Sequence, residues 1–199
     1  MADNNKLITA ILAIVVIISA ITILYISLPE EKTDDNQDGT TVTDKIIFNV
    51  TYNSDITSYT LEDLEALESY TEEGTYIKVG WLEENQVVTE GPYEYTGVRI
   101  ATLLDQIDNL PENYSIIAYS SDGRTTDYTK ENVTGQVDIY NESGIIIGTS
   151  GSTMILAYKI DGEYFEEDTG PIRIAFCNEY YTPSNLWAKM VDNIEIIEE

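Results

Sequence analysis

The sequence predicts an α+β fold, mostly β, carried behind one apolar helix, and three observations predict it. Residues 7–28 form an uncharged apolar run. From Lys45 onward, short β-branched and aromatic runs alternate with Gly-, Asn- and Asp-containing turns. Apolar residues at helical spacing occur in two or three brief stretches only. The chain has 199 residues, enough for about one domain with a real core.

The first six residues read as a cytoplasmic tail, and Leu7–Leu28 as a transmembrane helix. Its twenty-two residues, at about 1.5 Å each, span a hydrocarbon core of about 30 Å. The run is too long for a cleaved signal peptide, whose apolar stretch is about 7–15 residues. The amino terminus, Asp3 and Lys6 precede it, whereas Glu30, Glu31 and Lys32 follow it. That slight bias puts the N-terminus in the cytoplasm and the C-terminal domain outside the cell membrane. Residues 29–44 are polar and acidic without apolar periodicity, as expected of a flexible linker. Within them Asp34, Asn36 and Asp38 match the first half of a calcium loop. The twelfth position is Lys45 rather than a carboxylate, so calcium is at most a weak ligand there.

Residues 45–199 form the globular domain. Ile46–Tyr52 reads as a strand. Thr60 and Asp63 form a capping-box signature before Leu61, Leu64 and Leu67, which predicts a short helix. Strands are expected at Thr75–Leu82 and Gln86–Thr89. A helix is expected across Val98, Ile100, Leu103, Leu104 and Ile107, ending before Pro111. Ser115–Ser120 reads as a strand turning at Ser121–Arg124 into a second. Thr153–Ile160 and Ile172–Phe176 bracket a turn at Asp161-Gly162, and Ala188–Ile197 is a closing strand.

Composition removes several functions. Ten Lys and Arg against thirty-six Asp and Glu give a net charge of −26. The first 44 residues hold two bases and seven acids, which leaves the domain at −21. So negative a surface repels phosphate backbones, and nucleic acid is not an expected partner. The absence of His removes imidazole bases and His-ligated zinc, and a single Cys forms no intrachain disulfide. Sequons at Asn49, Asn113, Asn132 and Asn141 are glycosylation candidates if the domain is exported.

Four segments, in order, resemble the molybdopterin-binding domain of sulfite-oxidase-type oxidoreductases. They are YTGVRIATLLDQ (95–106), IIAYSSDGR (116–124), ILAYKIDGEYFEEDTGPIRI (155–174) and LWAKMVDNIEI (186–196). The ordered blocks extend from residue 95 to residue 196 of the 45–199 domain, and the AY-x-x-DGE…GP-x-R run is the most specific. The resemblance implies a compact, mostly β fold. It also implies a molybdenum-ligating Cys just before the 95–106 block and basic side chains for the pterin phosphate, some of them after the GP-x-R strand. The first region, residues 75–94, contains no Cys. The second, Cys177–Trp187, contains no Lys or Arg and includes Glu179. Those functional residues therefore do not carry over, and no cofactor is expected.

The remaining candidates for ligand contact are Arg124 at the SSDGR turn, Cys177, and the aromatic trio Tyr180, Tyr181 and Trp187. Each has a plainer role: a partner for local carboxylates, a buried small hydrophobe, and half-exposed strand residues. The expected function is a membrane-anchored outward-facing binding or assembly module, or an accessory subunit of a membrane complex, with a protein partner. One alternative is a molybdopterin-dependent oxidoreductase with altered ligation, which needs a cationic pocket from distant residues such as Lys78, Arg124 and Lys159. Another is a structural surface or filament subunit, although the apolar helix has no Gly and hence no G-x-x-x-G face.

Overall fold

The structure, a computed structural model, describes residues 45–80 and 86–199. The predicted membrane helix, the linker and its calcium candidates Asp34, Asn36 and Asp38 lie outside the described residues. Among the described residues no helix is long and apolar enough to cross a membrane.

Two sheets enclose the main core. The first is built from β1 (Ile46–Tyr52), β2 (Asp55–Thr60), β5 (Tyr114–Ser120), β6 (Thr125–Thr129) and β14 (Val191–Glu198), in the order β2-β1-β14-β5-β6. β1 and β14 run parallel, with Val50 opposite Ile194, while the other neighbours are antiparallel. The second sheet holds β3 (Ser69–Val79), β4 (Val87–Arg99), β7 (Gln136–Tyr140), β8 (Ile146–Gly151), β9 (Thr153–Ile160), β11 (Arg173–Cys177), β12 (Tyr181–Pro183) and β13 (Ala188–Lys189). Its order is β13-β11-β9-β4-β3-β12-β7-β8, and the two-residue β10 (Glu163–Tyr164) pairs with β9.

Period-2 alternation distributes side chains between the faces. Val50, Ile116, Ile194 and Ile196 of the first sheet meet Val98, Leu156, Ile174 and Phe176 of the second in one buried cluster. The opposite face of the second sheet carries a smaller cluster of Tyr95, Ile155, Ala157, Phe165, Ala175 and Cys177. Trp187 packs against both clusters.

Among the described residues three short α-helices fill the ends: α1 (Leu61–Glu65), α2 (Ile100–Leu104) and α3 (Lys130–Val133). The capping box at Thr60 forms as predicted, with Asp63 N–H donating to Thr60 Oγ1 at 3.1 Å and Thr60 N–H donating to Asp63 Oδ2 at 2.8 Å. Thr129 and Asn132 build a second box at α3, which the sequence reading passed over.

Several boundaries differ from expectation for local reasons. β3 and β4 are longer than predicted, because a register shift at Gly74–Tyr76 lets the ladder run through Gly91 and Pro92. Val98 and Arg99 end β4 rather than opening a helix, and α2 starts at Ile100. The expected closing strand divides at Met190, whose φ of 59° breaks the ladder into β13 and β14. That break sends Lys189 to the second sheet and Val191 to the first.

Candidate functional site

Two adjoining clefts open beside β13. One, of about 170 Å³, is lined by Tyr76, Glu90, Tyr93, Tyr95, Ile160, Arg173, Ile174, Trp187, Ala188 and Lys189. The other, of about 210 Å³, is lined by Tyr76, Lys78, Ser120, Asp122, Arg124, Thr126, Ser184, Trp187, Ala188 and Lys189. Tyr76, Trp187, Ala188 and Lys189 belong to both walls. A third depression of about 400 Å³ borders the second cleft through Lys78 and Ser184. Four of the chain's ten basic residues therefore line one pair of clefts in a strongly acidic protein.

Strand register explains how the bases meet. Arg173 on β11 lies directly opposite Lys189 on β13. Like charges opposite one another in a ladder are destabilising, typically by some tenths of a kcal/mol. Among the described residues neither side chain forms a salt bridge. The Arg173 guanidinium stacks on Phe165 at 4.1 Å, and its Nε is buried with no hydrogen-bond partner among the described residues. Burial holds the Arg173 pKa below its ordinary value. Burial, with Arg173 second, does the same for Lys189. A pair of cations both depressed by partial burial, Lys189 further by Arg173, suits an incoming anion.

Glu90 moderates that charge. It faces Tyr76 across the β3–β4 ladder and accepts a hydrogen bond from the Tyr76 hydroxyl. Lys78, two residues along β3 on the same face as Tyr76, donates to Glu90 Oε1 at 3.1 Å. The Tyr76 hydrogen bond, followed by Lys78, holds the Glu90 carboxyl below the usual range. Burial raises the Tyr76 and Tyr95 phenols, so both stay neutral donors.

Trp187 forms the shared wall. Its ring lies 5.2 Å from that of Tyr76 and 5.3 Å from that of Tyr95, and its Nε1 donates to Thr182 Oγ1 at 2.8 Å. Gly74 leaves room for this ring: a Cβ there would stand 2.9 Å from Trp187 Cη2 and 2.9 Å from the Phe176 carbonyl.

Of the predicted contact residues, Trp187 and Arg124 line the clefts. Arg124 sits at the rim, 86% exposed, 3.5 Å from Asp122. Tyr180 and Tyr181 do not join Trp187. Tyr180 N–H donates to Asn178 Oδ1 at 2.9 Å, while Tyr181 pairs with Thr75 and Tyr140 in the sheet. Cys177 is 1% exposed in the smaller apolar cluster, and burial pushes its thiol up to about 12. Lys159 lies elsewhere, beside Glu65 at 3.6 Å and over the Tyr164 ring at 4.2 Å.

The expected lack of a basic pocket is thus corrected. Cys177–Trp187 has no base, but Lys189 follows two residues later, and Arg173 and Lys78 converge from other strands. The missing signal was the β11–β13 pairing, which no local pattern encodes. The sequons are spread over the surface. Asn113 is exposed, whereas Asn49, Asn132 and Asn141 are half-buried, their side chains hydrogen-bonded to Ser58, to Thr129 and Gln136, and to the Ser143–Ile145 turn respectively.

No family model and no curated protein matches the chain. Among solved structures, the sulfane dehydrogenase SoxCD from Paracoccus pantotrophus shares the fold, with a TM-score of 0.54 and 16% identity. The match covers 81% of this chain and 40% of that one, so the chain spans about two fifths of its neighbour.

The molybdopterin centre implied by the sequence resemblance fits these residues only in part. Lys78, Arg124, Arg173 and Lys189 suit a phosphate-sized anion. A soft thiolate for the metal has no counterpart, because the one thiol is protonated and sealed in the apolar cluster. Among the described residues no group of three or more Cys, Asp or Glu side chains is placed to hold a metal ion. The metal centre does not fit.

Proposed function

We propose that the chain is a membrane-anchored, extracytoplasmic binding module, built on a molybdopterin-binding oxidoreductase fold of the sulfite-oxidase type. In this reading it works without the metal and binds a small anionic ligand in the basic clefts. Such a module serves as the receptor or accessory subunit of a membrane complex. The anchor is residues 7–28 and the tether is residues 29–44.

One observation carries the reading. Arg173 and Lys189 face each other and, among the described residues, neither forms a salt bridge, although acids outnumber bases more than threefold in the sequence. A fold with so many acids has ample means to neutralise two cations, so a pair left opposed is better explained by a ligand than by stability. The distant likeness to a sulfane dehydrogenase chain supports the scaffold. The buried thiol supports binding over redox catalysis.

The test is calorimetric titration of the full chain in detergent with sulfate, phosphate and glucuronate. Saturable binding of at least one of them, weakened by added salt and abolished in Arg173→Gln/Lys189→Gln, is expected. Failure of all three to bind contradicts the reading.

A further inference from the structure

We propose that the ligand of the basic clefts is a short acidic saccharide, one or two sugar rings bearing a carboxylate or sulfate. This rests on the anion-binding reading above and names its ligand class.

The decisive feature is Glu90. A bare oxyanion needs donors around it, and a neighbouring carboxylate repels it. Here the carboxylate shares a wall with Arg173 and Lys189. Tyr76 and Lys78 occupy two of its roughly four lone-pair positions, which leaves acceptor capacity free. An acidic sugar uses both kinds of group: its hydroxyls donate to Glu90 while its anion accepts from the two cations.

Two further features agree. Tyr93, 37% exposed, and Trp187 stand in the same wall, and aromatic surface suits the C–H face of a sugar ring. Hydroxyls of Ser120, Thr126 and Ser184 in the adjoining cleft both donate and accept, as a polyol requires.

Size and charge limit the length. The two clefts, about 170 and 210 Å³, reach together only the low end of the usual ligand-site range of roughly 300–1,000 Å³. A long polyanion leaving them would meet a domain of net charge −21.

The experiment is calorimetric titration of the full chain in detergent with four probes: digalacturonate, a sulfated heparin disaccharide, neutral galactobiose and sodium sulfate. At least one acidic disaccharide binds about tenfold or more tightly than either galactobiose or sulfate. Lys189→Gln weakens that binding about tenfold. Glu90→Gln separates the ligand classes, because it weakens an acidic sugar and tightens a bare anion. If sulfate binds as tightly as both acidic disaccharides, or Glu90→Gln tightens the sugar, the saccharide assignment falls and the anion reading stands. If galactobiose matches the acidic disaccharides, the charge contributes nothing and both fall. If no anion binds, both fall.

Discussion

The two ends of β11 have opposite chemistry on one face of one strand. Arg173 and Cys177 are four residues apart, about 14 Å along the strand, and point the same way. At one end β13 brings Lys189 opposite a guanidinium, with Glu90, Tyr76 and Trp187 around them. At the other, Thr153 of β9 pairs with Cys177, and the neighbours are Tyr95, Ile155 and Ala157. The chemistry of each end is decided by what the adjacent strands deliver. A scaffold of this type keeps a charged cleft and a sealed thiol without either serving the other.

The sealed end is broken most severely from behind. Phe176, fully buried beside Cys177 and 6.1 Å from the Tyr128 ring, anchors the main core. Phe176→Ala costs about 3–5 kcal/mol in denaturant unfolding. Next comes the wall that separates the two ends. Gly74→Ala pushes against Trp187 and a backbone carbonyl, costing about 1–3 kcal/mol and changing the indole fluorescence.

Cys177→Ser tests the thiol as a hydrophobe. It buries a hydroxyl among apolar neighbours at about 1–3 kcal/mol. With the thiol pushed up to about 12, the folded wild-type chain does not react with a thiol reagent at pH 8 and reacts fully once unfolded.

The smallest stability effect belongs to the open end. Lys189→Gln removes a like-charge opposition, so stability stays within about 0.5 kcal/mol of wild type while anion binding falls. Burial first, then Arg173 on β11 and Lys78 on β3, disfavour the Lys189 charge, and Glu90 on β4 favours it. The net effect is a depressed pKa, so the ammonium is lost at lower pH than an ordinary lysine near 10.4. Anion affinity is therefore full at neutral pH and declines as pH rises toward that lowered value. Calorimetry across alkaline pH checks the sign, and Lys189→Gln flattens the decline.

Much of the scaffold was legible in local patterns. The β-branched run at Ile46–Tyr52, the Thr60–Asp63 box and the Asp161-Gly162 turn, with φ of 50° and 84°, each follow from neighbours in sequence. β8 was missed because a Gly- and Ser-containing edge strand carries a weak periodic signal, and β7 because its alternation, Val137 and Ile139, is only two apolar residues long. The site was harder. Arg124 and Trp187 were found because a turn and an aromatic cluster mark them. Arg173 and Lys189 were not, since they lie sixteen positions apart in sequence and meet only through the β11–β13 pairing.

The central claim, a binding site on a fold that has set aside metal chemistry, is tested most directly by elemental analysis. The measurement is molybdenum and tungsten per chain in full-length protein purified from cells supplied with both metals. The account predicts far less than one atom per chain. About one atom per chain, retained through purification, contradicts it.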